Sequence, residues 1–411
     1  MMLHFDEVKP RIIDFIKALE DKESIFYIIR DVFGRITVYV EGKDELEELN
    51  QKILQELGKE WLNGVVTIEK SHMLYEVIAA SVKKVPGTSQ IFFGERPLVK
   101  KNWLKRKMVR PEIQAKVITF YSYKGGVGRT TVLALTALQM VRQGKRVVVM
   151  DLDLEAPGVS TILKPKNNKY PLYGTADFLI EVHNAGRGQE QINMEEYLYS
   201  VQNDRLAGTK GGELLVLQAV NGAEKNPFSY FEKISRIDLG TPQYETEDNG
   251  IRKLLEIIDQ KYSPDYIFLD SRSGIHDIGG TALTQYSDNA VLVFYGNQQN
   301  MFGMQFVLSR LIEEKVSFML VNSTMPAADR EGEIEKEYYV ECAYEYLIQN
   351  GYYDNKNLPD ISDENADHFP ISIPYMKEAV LLDSEEKMEY LLSWKEDENP
   401  YFKLAEKLLL I

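Results

Sequence analysis

The sequence predicts an α/β protein: a doubly wound domain on a mainly parallel sheet, preceded by a small α/β domain. Three observations carry this. From residue 113 onward, short β-prone apolar runs alternate with segments of helical period. Those runs are apolar throughout, as strands covered on both faces are. A glycine-rich turn follows the first run and a helix-prone run follows the turn, at the strand end where such sheets place ligands.

Residues 1–112 read as a unit of their own. Positions 12–19 have helical spacing. The β-prone runs 25–29 and 35–40 flank Phe33 and Gly34 and predict a hairpin. Leu46, Leu49, Ile53, Leu54 and Leu57 give 43–57 a helical stripe. A further helix is predicted over 73–82 and a strand over 89–93. In 113–411, strands are predicted over 116–121, 146–150, 213–218, 266–270, 290–295 and 318–322. Helices are predicted over 130–143, 250–261 and 303–313. Residues 327–368 form an acidic insertion, with twelve acids against three basic residues. Tyr338, Tyr339, Tyr344, Tyr346, Tyr352 and Tyr353 lie within it. It reads either as a partner surface or as a solvated helix with its tyrosines turned inward.

The chain has 411 residues, 44% hydrophobic and 27% charged, enough for two domain cores. Its formal net charge of −15 disfavours non-specific adhesion to DNA or lipid. Positive charge concentrates at 100–110, where six basic residues surround Trp103 with no acid. A nucleic-acid contact and a solvated linker are both open there. A single cysteine, Cys342, excludes an intramolecular disulfide and fits a cytoplasmic setting. Five scattered histidines give no zinc-ligand spacing. The opening residues carry no signal-peptide pattern. No apolar run reaches the roughly 18 residues that a membrane span needs.

Residues 118–131 read Ile-Thr-Phe-Tyr-Ser-Tyr-Lys-Gly-Gly-Val-Gly-Arg-Thr-Thr. Glycines let backbone N–H groups close around phosphate oxygens, and a helix N-terminus adds its positive end. The stretch therefore predicts a P-loop NTPase domain. The nucleotide is held by Lys124, Gly125, Gly126, Val127, Gly128, Arg129, Thr130 and Thr131. In the usual loop, G-x-x-x-x-G-K-[ST], the hydroxyl serves Mg2+. Here Gly128 is the last glycine and Thr130 the hydroxyl. Tyr123 stands where the first glycine belongs, and Arg129 replaces the lysine. Arginine keeps the charge and offers phosphate a fork of donors. Downstream, Asp151, Asp153 and Asp270 close β-prone runs. Acids at strand ends beside magnesium hold it through water without displacing phosphate.

Lysine at the start of Lys-Gly-Gly-x-Gly marks a deviant Walker A loop. Over roughly residues 115–380 the sequence resembles the ParA/MinD class of P-loop ATPases. That resemblance implies ATP as substrate, Mg2+ as cofactor and a nucleotide-sandwich homodimer. Lys124 then reaches the partner's phosphates. Asp153 orients the attacking water, Asp151 lies near the metal and Asp270 holds it. Asn322 reads adenine, and Pro374, within Ile371-Ser-Ile-Pro-Tyr375, lines the base. One departure is Leu154-Glu-Ala-Pro-Gly158, where the family usually continues with Pro-Gln-Gly. A narrower bacterial branch, carrying a KGGVGR motif, is similar around 120–129, 151–158 and 270–274. Its members are suspected in regulation or antiviral defence. Arg129 is a regular feature of that branch, and its bulk implies slow hydrolysis.

The leading expectation is an ATP-driven switch that regulates a protein partner through residues 1–112 or the insertion. Arg272, just after Asp270, is expected to support the phosphates or the dimer contact. Two other readings stay open. One is a DNA- or membrane-surface positioning ATPase, supported by 100–110; the C-terminus over 401–411 reads as a helix closing the sheet or as a short amphipathic membrane anchor. The other is a non-hydrolysing nucleotide-dependent scaffold, motivated by Arg129 and the altered 154–158. A hydrolase built from Ser273, His276 and Asp277 has no supporting spacing.

Overall fold

The chain folds into two units, Met1–Val99 and Lys100–Ile411. The computed structural model describes residues 3–19, 23–42, 46–96, 103, 112–165, 169–185, 192–201, 203–208, 210–220, 227–237, 250–325, 330–354, 356–380, 382, 384–396 and 398–411.

In the first unit, β1 (Ile25–Arg30) and β2 (Ile36–Glu41) make the predicted hairpin, antiparallel with Arg30 opposite Ile36. Asp31 fastens its turn: Oδ1 accepts the N–H groups of Phe33 and Arg35, each at 2.9 Å. Gly34 closes the turn at φ +87°, a conformation that suits glycine. β3 (Leu62–Thr67), β4 (Lys83–Lys84) and β5 (Ile91–Glu95) complete a sheet of order β3-β2-β1-β5-β4. The sequence pattern misses β3, an edge strand with little burial, and β4, which is too short to show a period. Helices Phe5–Ala18 and Glu47–Leu57 bury Ile12, Ile16, Leu49 and Ile53 in one core with Ile28 and Val38.

Among the described residues the second unit holds eight strands: β6 (Lys116–Tyr121), β7 (Arg146–Asp151), β8 (Leu198–Ser200), β9 (Glu213–Leu217), β10 (Tyr266–Asp270), β11 (Asn289–Phe294), β12 (Ser317–Met325) and β13 (Ile371–Pro374). Their order is β13-β12-β11-β6-β10-β7-β9-β8, and every pairing is parallel except β8 with β9. This is the doubly wound, mainly parallel sheet that the sequence predicts. Successive side chains point to opposite faces. Phe120, Val149 and Phe268 meet helices Arg129–Arg142 and Pro400–Leu409 in one core. Val148, Met150 and Leu269 meet helices Thr175–Ala185 and Gly250–Tyr262 in another. The short β8 and β13 escape the sequence pattern.

Three expectations resolve in this unit. The apolar stripe of the C-terminus lies inside: Tyr401, Leu404, Ala405 and Leu408 are buried, so the last helix closes the sheet. Among the described residues, no helix is long and apolar enough to cross a membrane. The acidic insertion forms helix Arg330–Gln349, which buries Tyr339, Ala343 and Leu347 while Tyr338 stays at the surface. Trp103 is a core residue rather than an exposed contact. It is 1% exposed, packs on Tyr121 and Phe306, and donates from Nε1 to the His276 carbonyl at 2.7 Å. The basic residues around it lie outside the described residues.

Candidate active site

Strand register assembles the acids. β10 lies between β6 and β7, with Asp270 paired to Phe120 on one side and to Asp151 on the other. Two carboxylates therefore end adjacent strands, and both are fully buried. The glycine-rich loop follows β6 and leads into helix Arg129–Arg142. Gly126 and Gly128 take φ +80° and +82°. A Cβ on Gly128 would also meet Ser323 Oγ at 3.2 Å, so this glycine answers to both conformation and space.

Arg129 opens the helix and turns inward. Nε donates to Asp270 Oδ1 at 2.6 Å, Nη2 to Asp153 Oδ2 at 2.9 Å and Nη1 to Ser273 Oγ at 2.9 Å. Thr130 Oγ1 donates to the other oxygen of Asp270 at 2.7 Å. Burial works against the guanidinium charge, but Asp270 and then Asp153 outweigh it, so the Arg129 pKa rises. For Asp270, burial raises the pKa more than the contacts with Arg129 and Thr130 lower it. Asp151 is pushed well above the carboxylate range, first by burial and then by the Asp270 charge. Its oxygens accept backbone N–H groups from Asp153 at 3.0 Å and from Gly158 and Val159 at 3.2 Å each. Asp151 thus organises the loop that carries Asp153.

Above these groups opens a cavity of about 440 Å³, within the range of small-molecule sites. Gly125, Gly126, Gly128, Arg129, Thr130, Thr131 and Asp153 line it. Val127 instead packs into the core. Lys124 is half-buried at the loop's start and makes no ion pair among the described residues. Glu155 and Arg272 complete the rim as an ion pair, with His276 Nε2 at 3.4 Å from Glu155.

A family model described as "ParA: NUBPL iron-transfer P-loop NTPase" matches residues 113–185. An uncharacterised ATP-binding protein of Methanocaldococcus jannaschii is 39% identical over 56 residues, 14% of this chain. The match covers 21% of that protein, so the chain spans about a fifth of the relative's length. The MinD cell-division ATPase of Pyrococcus furiosus is similar in structure, with TM-score 0.44, 19% identity and coverage of 72% of this chain and 99% of MinD. A putative plasmid partition protein of Borrelia burgdorferi, bound to AMPPNP, gives TM-score 0.46 and 16% identity over 72% of this chain and 98% of its own.

Two further predicted residues, Pro374 and Asn322, also lie outside the cavity lining. Pro374 lies exposed at the end of β13. Asn322 on β12 is fully buried, donates from Nδ2 to Glu335 Oε2 at 3.1 Å, and has no hydrogen-bond partner for its Oδ1 among the described residues. Glu335 comes from the acidic insertion and also accepts the Gly296 N–H. The sequence pattern missed Glu335 and gave Ser273 and Glu155 no part in the nucleotide site, although each of those two follows a predicted acid within three residues. It also missed how Tyr123 is accommodated. A Cβ on Gly303 would lie 2.1 Å from the Tyr123 ring, so a glycine on a distant helix makes room for it.

Proposed function

We propose that the chain is an ATP-binding, slowly hydrolysing switch that closes as a homodimer and regulates a protein partner. The observation that carries this is the cavity itself: loop glycines and a helix start lie with a cation, a hydroxyl and Asp153 around it, and Asp270 is buried behind Arg129 and Thr130. Backbone N–H groups of 125–131 hold the phosphates, with Arg129 and Lys124 as cations. Lys124, half-buried at the loop's start and without an ion pair among the described residues, suits a contact in trans.

Magnesium fits the donors present. Thr130 and Asp270 offer hard oxygens 2.7 Å apart at a strand end. Bound there, it would neutralise charge on the phosphate oxygens. Asp151, engaged by three amides, serves the loop rather than the metal. Asp153 accepts a proton or a hydrogen bond from the attacking water as the γ-phosphorus bond to the bridging oxygen breaks, leaving ADP and phosphate. Arg272, held by Glu155 at the rim, couples the loops after β7 and β10 to whatever fills the cavity. Residues 1–112 or the acidic helix pass the state to the partner.

Sedimentation of the full chain with and without ATP and magnesium tests the switch. A nucleotide-dependent dimer, lost on Lys124→Ala, is the expected result; a monomer in every condition rejects it. The second reading, a non-hydrolysing scaffold, is favoured by the Arg129–Asp153 ion pair, which engages the acid that would orient water. Phosphate release above background, abolished by Asp153→Ala, decides against the scaffold.

A further inference from the structure

Arg129 has all three guanidinium nitrogens engaged at the cavity wall, by Asp270, Asp153 and the Ser273 hydroxyl. The residue is 7% exposed, whereas Gly125 and Gly126 of the same loop are exposed. The cation that loop chemistry aims at a phosphate is thus held by acids beneath the loop. Both Asp270 oxygens are engaged in turn, with Arg129 on one and Thr130 on the other. Asp153 and Asp270, both buried, share this buried cation, and the buried Asp151 ends the strand beside Asp270.

Building on the nucleotide reading above, we propose that Arg129 and magnesium are alternative counter-ions of Asp270. The chain then accepts a nucleoside triphosphate with its magnesium and discriminates against the metal-free form. The argument is one of stranded charge. Drawing Arg129 toward a phosphate with nothing in its place leaves a carboxylate buried and unpaired, which is costly. With a divalent cation beside Asp270 and Thr130, the Arg129 Nε is released and no acid is stranded. The forked guanidinium suits this exchange, because it can leave Asp270 while Nη2 stays on Asp153. A lysine has one nitrogen and no such division. Arg129 is in this sense a specificity-determining residue.

The test is calorimetric titration of the full chain with the imido analogue of ATP, in magnesium and in EDTA. The ratio of the two affinities is the quantity read. In the unmodified chain it is expected to reach about 100-fold. In Asp153→Asn, which loosens Arg129, the metal-free affinity rises and the ratio drops by about tenfold. Arg129→Lys is expected to shrink it as well. Equal affinity in both buffers, or ratios unchanged in both variants, overturns the proposal while leaving nucleotide binding intact. No binding in either buffer overturns the nucleotide reading itself. Thermal melting checks that the variants fold. Should Asp153→Asn unfold, Ser273→Ala releases only Nη1: a smaller fall in the ratio supports the proposal, and an unchanged ratio counts against it.

Discussion

Arg30 and Arg129, one in each unit, are both buried arginines held by carboxylates, yet their surroundings differ in charge balance. Arg30 grips Glu95 with two bonds, Nε to Oε2 at 2.9 Å and Nη2 to Oε1 at 2.7 Å. Its third nitrogen donates to the Phe5 carbonyl at 3.2 Å, and its face lies 4.0 Å from the Phe5 ring. Glu95 remains 35% exposed and also lies 3.9 Å from the Lys9 ammonium. That is a complete clamp: every charge has a partner or water. Arg129 faces two acids, each under 10% exposed, with Asp151 behind them. Such a cluster is short of positive charge and has work left for a ligand's cation. The difference separates a structural ion pair from a site more sharply than burial does.

The strongest test of that contrast removes each arginine in turn. Arg129→Met keeps the length of the chain but leaves the acids without a counter-ion. It is expected to cost about 3–5 kcal/mol of stability and to weaken ATP binding by at least about 100-fold. Arg30→Met breaks the clamp at about 2–3 kcal/mol and should leave ATP affinity within about twofold of normal. Denaturant titration and calorimetry on both variants read these quantities. Equal losses of affinity would erase the distinction.

How far the sequence reveals this arrangement depends on the range of the interactions. The strands from β6 to β12 are legible, β8 excepted, because their apolar runs respond to burial on both faces, a local signal. The loop, Thr130 and the three acids are legible because phosphate chemistry fixes their spacing along the chain. Where Arg129 points is not. Residue type predicts a phosphate contact, while the bond to Asp270 depends on β6 and β10 being neighbours, which no spacing encodes. Asn322 is similar: its position on β12 is readable, but its partner Glu335 arrives from an insertion whose acidity suggests only solvent. Tyr123 in place of a loop glycine looks like a defect until Gly303 is seen beneath its ring.

The second-largest effect concerns the carboxylate that serves amides. Asp151→Ala removes the acceptor for the N–H groups of Asp153, Gly158 and Val159. A loss of about 2–3 kcal/mol is expected, with faster exchange of those three amides. It should weaken nucleotide binding less than Arg129→Met does. A larger effect on affinity than on amide protection would return Asp151 to the metal. Next comes Gly303→Ala. The new methyl meets the Tyr123 ring at the loop's entrance, and overpacking of this kind costs about 1–3 kcal/mol. Tyr123→Gly should relieve it, so the double variant recovers most of the stability lost by the single one.

Asp31 provides the smallest effect and the cleanest sign. Like Asp151 it fastens a turn through backbone N–H groups, but it sits at the surface of the first unit. Partial burial is the largest single influence on its carboxyl and acts to raise the pKa. The hydrogen bond from Asn63 Nδ2, at 2.9 Å, and those from the Arg35 and Phe33 amides together outweigh it, so the pKa lies below the usual value. A carboxyl lowered in the folded state contributes its stability fully above the unfolded value of about 3.9 and loses it as pH falls through the folded one. Asp31→Ala should therefore cost about 1 kcal/mol near pH 7, kept small because solvent reaches the group. Between pH 5 and pH 8 the gap should stay flat, and below about pH 4 it should narrow. Exchange protection of the β1–β2 amides in the full chain reads it. A gap that widened on acidification would mean that the turn is held by something other than the ionised carboxylate, and the parallel with Asp151 would fail.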